Sequence, residues 1–509
     1  MKITRKKLYV IVPVAVIILF IAGWFIFSTK DYTQVIPGDA SVVVSIDVPS
    51  IMKTSGLSAK TPEQLKAYAD KIYNPGLKLL FHDPANTGIS LTDKAYLFAS
   101  FNKDEPTLIF KVNDEGKLEK SFKQMIADGM CDELEDHGKY QWTLFHGVGY
   151  CAFNKRVLMI VSAETNPENV MVRINELMKQ SESDCITSNK AFAKMEQKRA
   201  DMNIYISFDA IPQATALSMM MGVPSNMSLR DMRILAHLHF DKGRISTDGE
   251  YFTENKELQK YIDAQAAMAK VLNKTFLPKI PSNAIASLSM NLPGDKIYSL
   301  LMGFDTFKQE VGKMKMNPNF KVSDFFKSIN GDVTMAFTGF NQYTDPKIVM
   351  YVAMPNSKLN EALKNLTSQM QMAGMSARPA STPGEYIFEN SGMKLTAYAT
   401  LGPGYLYLTN DELMQQPPKG NAPAPMFTSN LEGMKQRPSA YMLVNPQSIL
   451  VNGYFNQLLN GLGNIGSTLR TVLGACTAAE AFNKGNNQFQ INVYTKDQQN
   501  NVLQKIFDK

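Results

Sequence analysis

The sequence is poor in the residues that most often carry chemistry. Its 509 residues include five His, four Cys and two Trp. The cysteines, Cys131, Cys151, Cys185 and Cys476, match no zinc-ligand spacing. There is no G-x-S-x-G elbow, Walker A loop, H-E-x-x-H helix or Cys–His constellation, so the chain leans away from the motif-bearing enzymes. Sites assembled from distant residues need no local motif, so a catalytic alternative stays open. Charge is sparse as well: the formal net charge is +6, and Lys2, Arg5, Lys6 and Lys7 supply four of the positive charges. The remainder is too nearly neutral for a nucleic-acid footprint.

One long apolar run is present. Residues 8–27 carry no charge, and at ~1.5 Å rise per residue they match a hydrocarbon core of ~30 Å. With the basic cluster before it, this run reads as a transmembrane signal anchor. Residues 1–7 then form a cytoplasmic tail, and the bulk of the chain lies in the periplasm as a single-pass inner-membrane protein. The alternative is secretion after cleavage, although Trp24, Phe25, Ile26 and Phe27 offer no small-residue cleavage site. Residues 28–34 read as a polar stalk. In an oxidising compartment Cys131 and Cys185 are the candidate disulfide, and four unpaired, partly buried thiols are the equal alternative.

Behind the stalk comes a stretch that occurs twice. Ile36-Pro37 opens the run that ends in Asp47-Val48-Pro49, and Ile280-Pro281 opens the run that ends in Asn291-Leu292-Pro293, at a shift of 244 residues. Val42, Val44 and Ile46 alternate with Val43, Ser45 and Asp47, the pattern of a strand in an antiparallel sheet backed by helices on its apolar side. Because Asp47 faces Asn291, a helix-capping role suits both residues better than catalysis does.

Matched elements continue in order. A helix at about 62–73 precedes strands at about 95–101 and 107–112 and a helix at about 117–128 that ends at Gly129, a left-handed cap. Strands near 140–145, 149–153 and 157–161 have counterparts near 385–389, 395–399 and 405–409. Residues 203–209 are echoed by 440–445, each leading into an apolar helix. A domain-sized repeat of this kind indicates duplication. The expected fold class is α+β: two tandem copies of one mainly antiparallel sheet-plus-helices unit, 35–272 and 273–509, preceded by one N-terminal transmembrane helix. An amphipathic helix with Leu258, Ile262, Met268 and Leu272 joins the copies.

The residues 32–40 and the strand that follows resemble the start of a Bacteroidota cell-envelope family known as a domain of unknown function, DUF4836. Its members look like lipoproteins, with a cysteine where this chain has none, so lipid anchoring is not carried over. The resemblance supplies no catalytic residues.

Four local patterns touch on chemistry, and each has a plainer reading. Gly461-Leu462-Gly463-Asn464-Ile465-Gly466 fits G-x-G-x-x-G but follows a helix at 446–460 rather than a strand, so it joins two helices. His237 and His239 share one face of a strand at 234–240. With Ile234, Ala236, Leu238 and Phe240 forming the core side, the histidines fall on the solvent side rather than in a metal site. Met219, Met220, Met221 and Met227, or Met370, Met372 and Met375, suit Cu(I), but Met125 and Met130 stand at the matching helix end in the other copy, which favours core filling. The acidic run from Cys131 to His137 lacks the ligand alternation of a calcium loop and reads as solvated. The proline-rich segment 417–425 reads as a loop.

The sequence therefore assigns no catalytic, cofactor-binding or metal residue and no cofactor. It points to a membrane-anchored envelope protein that binds or scaffolds another envelope protein. An envelope hydrolase acting on peptide or glycan is the second reading, and copper handling through methionines is the third.

Overall fold

The structure is a computed structural model that describes residues 32–71, 86–100, 106–162, 167–210, 227–302, 305–313, 322–340, 346–354, 376–390, 395–417, 431–485 and 487–507. The chain divides into two compact units. One contains Met1–Ile211 with Arg233–Leu238 and Ile506–Lys509; the other contains Pro212–Met232 and His239–Lys505.

The first unit is built on β1 (Val42–Asp47), β2 (Lys94–Ala99), β3 (Thr107–Lys111), β4 (Glu135–Asp136), β5 (Gln141–Phe145), β6 (Gly149–Phe153), β7 (Val157–Ser162), β8 (Met202–Ser207) and the Arg233–Leu238 part of β9 (Met232–Asp241). These strands pair antiparallel in the order β4-β5-β6-β7-β3-β2-β1-β8-β9. Over the β3–β7 part lies the helix Glu115–Ala127. Asp114 caps it by accepting from the Lys117 N–H at 3.0 Å. Gly129, at φ +70°, lets Met130 N–H reach back to Met125 C=O and closes the last turn. Leu118, Phe122 and Met125 face inward, and Phe122 stacks on Phe153 at 5.0 Å between ring centroids. Burying each such ring stabilises the unit by roughly 1.5–3 kcal/mol.

The second unit is built on β10 (Arg244–Thr253), β11 (Ala286–Met290), β12 (Val333–Phe340), β13 (Pro346–Ala353), β14 (Ser376–Pro379), β15 (Glu385–Asn390), β16 (Leu395–Gly402), β17 (Tyr405–Thr409), β18 (Ala440–Val444), β19 (Cys476–Gly485) and β20 (Gln488–Thr495). Their order is β14-β15-β16-β17-β13-β12-β11-β18-β19-β20-β10, again antiparallel. From β14 to β19 this reproduces the first unit strand for strand. Strand β10 lies within the range 35–272 yet pairs with β20 in the second unit. The helices Gly294–Leu301 and Val322–Lys327 contribute Ile297, Phe325 and Phe326 to a cluster over β13 and β17.

Three expectations need correction. The fold class is a sheet with helices rather than one preceded by a transmembrane helix, because among the described residues no helix is long and apolar enough to cross a membrane. Residues 8–27, where the sequence placed that helix, lie outside the described residues. The stalk does not extend to residue 34. Tyr32 is 4% exposed and donates its hydroxyl to Lys94 C=O at 2.8 Å, so the chain is docked from there on. The third concerns which side of the sheet is covered. Val43 and Ser45 are buried while Val42 and Val44 stay half-exposed, so along β1 the mixed face is the more deeply buried one, and of the apolar face Ile46 packs against the cluster beneath the helix Glu115–Ala127.

Candidate functional site

In each unit the first repeated strand runs into a helix, and the two junctions differ. Asp47 behaves as the sequence implied: its Oδ1 accepts from Ser50 N–H at 2.9 Å and caps the helix Val48–Thr54. Its own N–H donates to Asp201 C=O, and the Asp201 carboxylate accepts from the Ser50 hydroxyl. Asn291 makes the matching backbone bond to Ser439 C=O at 3.0 Å but caps nothing. Leu292 and Pro293 intervene before the helix Gly294–Leu301, and Asn291 Nδ2 instead donates to Val271 C=O at 2.8 Å. Among the described residues Asn291 Oδ1, buried in a side chain 4% exposed, meets no donor.

This altered junction leaves a cavity of about 320 Å³ lined by Lys270, Asn291, Asp295, Lys327, Ile329 and Asn330 among others. Gly294 is required at its edge, because a Cβ there would stand 1.7 Å from Phe326 C=O. Lys327 pairs with Asp324 at 3.3 Å, and Asp295 lies 3.8 Å from Lys296. Lys270, Lys327 and Asp295 thus share the lining of the cavity, with Lys327 also paired to the Asp324 carboxylate. At the matching junction of the first unit Asp47 and Asp201 stand in place of Asn291 and Ser439.

Beyond the cavity lies the open face of the second sheet. The registers set Met335 opposite Leu288, Leu288 opposite Met442, Met442 opposite Ala481 and Ala481 opposite Ile491. One step along β11, Ala286 lies between Phe337 and Val444; one step the other way, Met290 lies between Val333 and Ala440. Every one of these side chains is apolar. Met335, Met442 and Ile491 are 40%, 42% and 38% exposed. The far end is closed by the helix Gly453–Gly461, whose Phe455 meets Phe337 and whose Tyr454 meets Phe340. The first unit shows the same pattern, with Val44 between Leu97 and Ile204 and Ile204 opposite Ala236.

The residues singled out in the sequence take structural places. His237 is 2% exposed, against the expected solvent side, and its Nδ1 meets Asn203 Oδ1 at 2.8 Å; His239, two residues on, is half-buried. The reason is the same inversion of faces. The Cys131–Cys185 pairing is not made, and all four cysteines are free and buried. Cys131 and Cys151 belong to one apolar cluster, whereas Cys185 bonds locally to Glu182 C=O. Burial, followed by the charge of Asp132, pushes the Cys131 thiol up to about 11. The acidic run is tied to neighbouring groups: Trp142 Nε1–H donates to Glu135 at 2.8 Å, and His146 Nε2 meets Asp132 at 2.8 Å. Among the described residues no three His, Cys, Asp or Glu side chains group as metal ligands. The glycine-rich motif joins the helices Gly453–Gly461 and Gly463–Ala475. Met219, Met220, Met221, Met370, Met372, Met375 and residues 418–425 lie outside the described residues.

Sequence reasoning missed a heavily bonded, buried acid in the second unit. Glu480 is 2% exposed and accepts from Gly433 N–H, the Tyr441 and Tyr494 hydroxyls and Asn492 Nδ2. The one available signal was local: Glu480 stands between Ala478, Ala479, Ala481 and Phe482 in its strand. The cavity lysines had no such signal, since Lys270 and Lys327 meet only through the fold.

Fold and site together define a protein built on a repeated antiparallel sheet, with an apolar open face and a cation-lined junction in its second unit. The chain belongs to the family described as a domain of unknown function, DUF4836, whose model matches residues 32–478. No curated protein matches. Two solved structures, crystal forms I and IV of TP0453, are similar at 12% and 9% identity. They cover 47% and 43% of this chain and 87% and 80% of theirs. Their TM-scores of 0.26 and 0.25 are too low to carry an argument.

Proposed function

We propose that the protein is a non-catalytic binding protein of the cell envelope that captures an apolar partner on the open face of its second sheet. The observation that carries this reading is the row Met335, Leu288, Met442, Ala481 and Ile491, which continues across β12, β11, β18, β19 and β20 with no polar side chain. Monomers seldom leave contiguous apolar surface open unless something docks there. Methionines at two positions of the row add an adaptable surface. Placement in the envelope is supported by the basic cluster and the apolar run 8–27, which suit export.

The test is a photo-crosslinking amino acid at Met442, with Lys484 on the exposed end of β19 as control. The expected result in native envelopes is a saturable adduct from position 442 that is lost when Met335 and Ile491 are changed to Asp. Equal labelling from both positions would overturn the reading.

A further inference from the structure

The open face and the cavity meet. Met290 is the last residue of β11, Asn291 lines the cavity, and Val333 and Ile329 place β12 and its preceding turn on the same rim. A ligand lying along β11 from the cavity would pass Met290, Leu288 and Ala286, flanked by Ala440, Met442 and Val444 on one side and by Val333, Met335 and Phe337 on the other. The five residues of β11 span ~17 Å at the usual strand rise. Over that length the face offers no hydrogen-bonding side chain. An extended peptide would leave backbone groups unpaired against it, whereas an acyl chain has none to satisfy. At one end stand Phe337 and Phe455; at the other stand Lys270 and Lys327.

We infer that the second unit binds a single-chain phospholipid, with its acyl chain along β11 and its phosphate between Lys270 and Lys327. This rests on the reading of the open face as the docking surface. Three observations select this ligand. Apolar surface runs directly into a junction lined by Lys270 and Lys327, the second of which is shared with the exposed carboxylate of Asp324. That junction has lost the two carboxylates, Asp47 and Asp201, that occupy the matching place in the first unit. The cavity, at about 320 Å³, falls in the ordinary range for small-ligand sites and is far larger than a bare carboxylate needs. Asp295 faces the non-phosphate part of the headgroup, where a hydroxyl or ammonium pairs with it.

Competition against a dansyl-undecanoate reporter tests this with the full-length protein held in a detergent-free amphipathic polymer. The competitors are lysophosphatidylglycerol, oleate and oleyl alcohol, each below its micelle concentration. Lysophosphatidylglycerol is expected to compete at least about tenfold better than oleyl alcohol, as charge-assisted bonds to phosphate require. Changing both Lys270 and Lys327 to Glu removes that advantage and leaves the alcohol unaffected. Both lysines reach solvent, so the fold is retained, and an unchanged thermal transition checks it. Equal competition by all three ligands, oleate matching the phospholipid, or no response to charge reversal overturns the proposal. The underlying reading fails separately: Met442→Asp then leaves binding of all three competitors unchanged.

Discussion

At the scale of single residues, the buried carboxylate of Glu480 organises the hidden side of the second sheet. Burying a charge is tolerated only when its oxygens are satisfied, and here two hydroxyls, an amide and a backbone N–H do so. Glu480→Ala strands those donors, so chemical denaturation should show a loss above about 3 kcal/mol. Burial, reinforced by the bond to Glu480, pushes the Tyr494 phenol up to about 12 from its ordinary 10.0. Because the folded state holds a proton that the unfolded chain releases near 10, this stabilisation is complete below pH 10. It is lost as pH rises from there through about 12. Alkaline denaturation midpoints should therefore fall over that window, and Tyr494→Phe should flatten the fall. His146 is predicted to titrate above its ordinary 6.5 because Asp132 bonds its Nε2. NMR titration of Asp132→Asn should show the value drop back. Asp47→Ala should cost ~1 kcal/mol through the lost cap while Asp47→Asn costs less, since either side chain can accept from Ser50 N–H.

At the scale of elements, the helical hairpin after β18 tests how glycine is used. Gly466 is buried against the partner helix, where a Cβ would stand 1.8 Å from Leu459 C=O, whereas Gly474 has nothing within 4 Å. Gly466→Ala should therefore force the helices apart and lower the thermal midpoint. Gly474→Ala should raise stability by up to ~1 kcal/mol through helix propensity. Strand existence was legible in the sequence because its cause is local: the period of two in Val42 to Asp47 needs no neighbour to be read. Which face is covered was not legible, because the covering groups are distant. Tyr32 and Phe192 close over Tyr96 of β2, and Asn189 bonds Tyr205 of β8, all from parts of the chain outside those strands. The same long-range cause buried His237 and hid the cavity, whose lysines lie 57 positions apart in sequence (327 minus 270). The Asp47 cap could be read because donor and acceptor are three residues apart.

At the scale of the molecule, each sheet covers its apolar face with helices at one end, over β3–β7 and over β13 and β17, leaves part of the rest half-open, and keeps polar groups such as Ser45, Asn203, Ser289 and Glu480 on the other, buried face. A hydrophobic effect acting on folding alone would favour the reverse, because each half-open Leu, Ile or Met forgoes part of its transfer free energy. On the proposed reading, a ligand on the face offsets that loss. Native protein at neutral pH should accordingly bind an anilinonaphthalene sulfonate dye. Changing Leu97, Met335, Met442 and Ile491 together to Ser should remove most of that fluorescence while leaving the far-ultraviolet dichroism intact, since these side chains are 38–42% exposed. A single Leu443→Ser on the opposite face, fully buried beside Met442 in the same strand, should instead unfold the second unit. Tolerance of all four changes, Leu97 in the first unit and three in the second, against refusal of the one on the buried face would support a half-open face kept for a ligand. Comparable destabilisation from both would show that the apolar row is simply core.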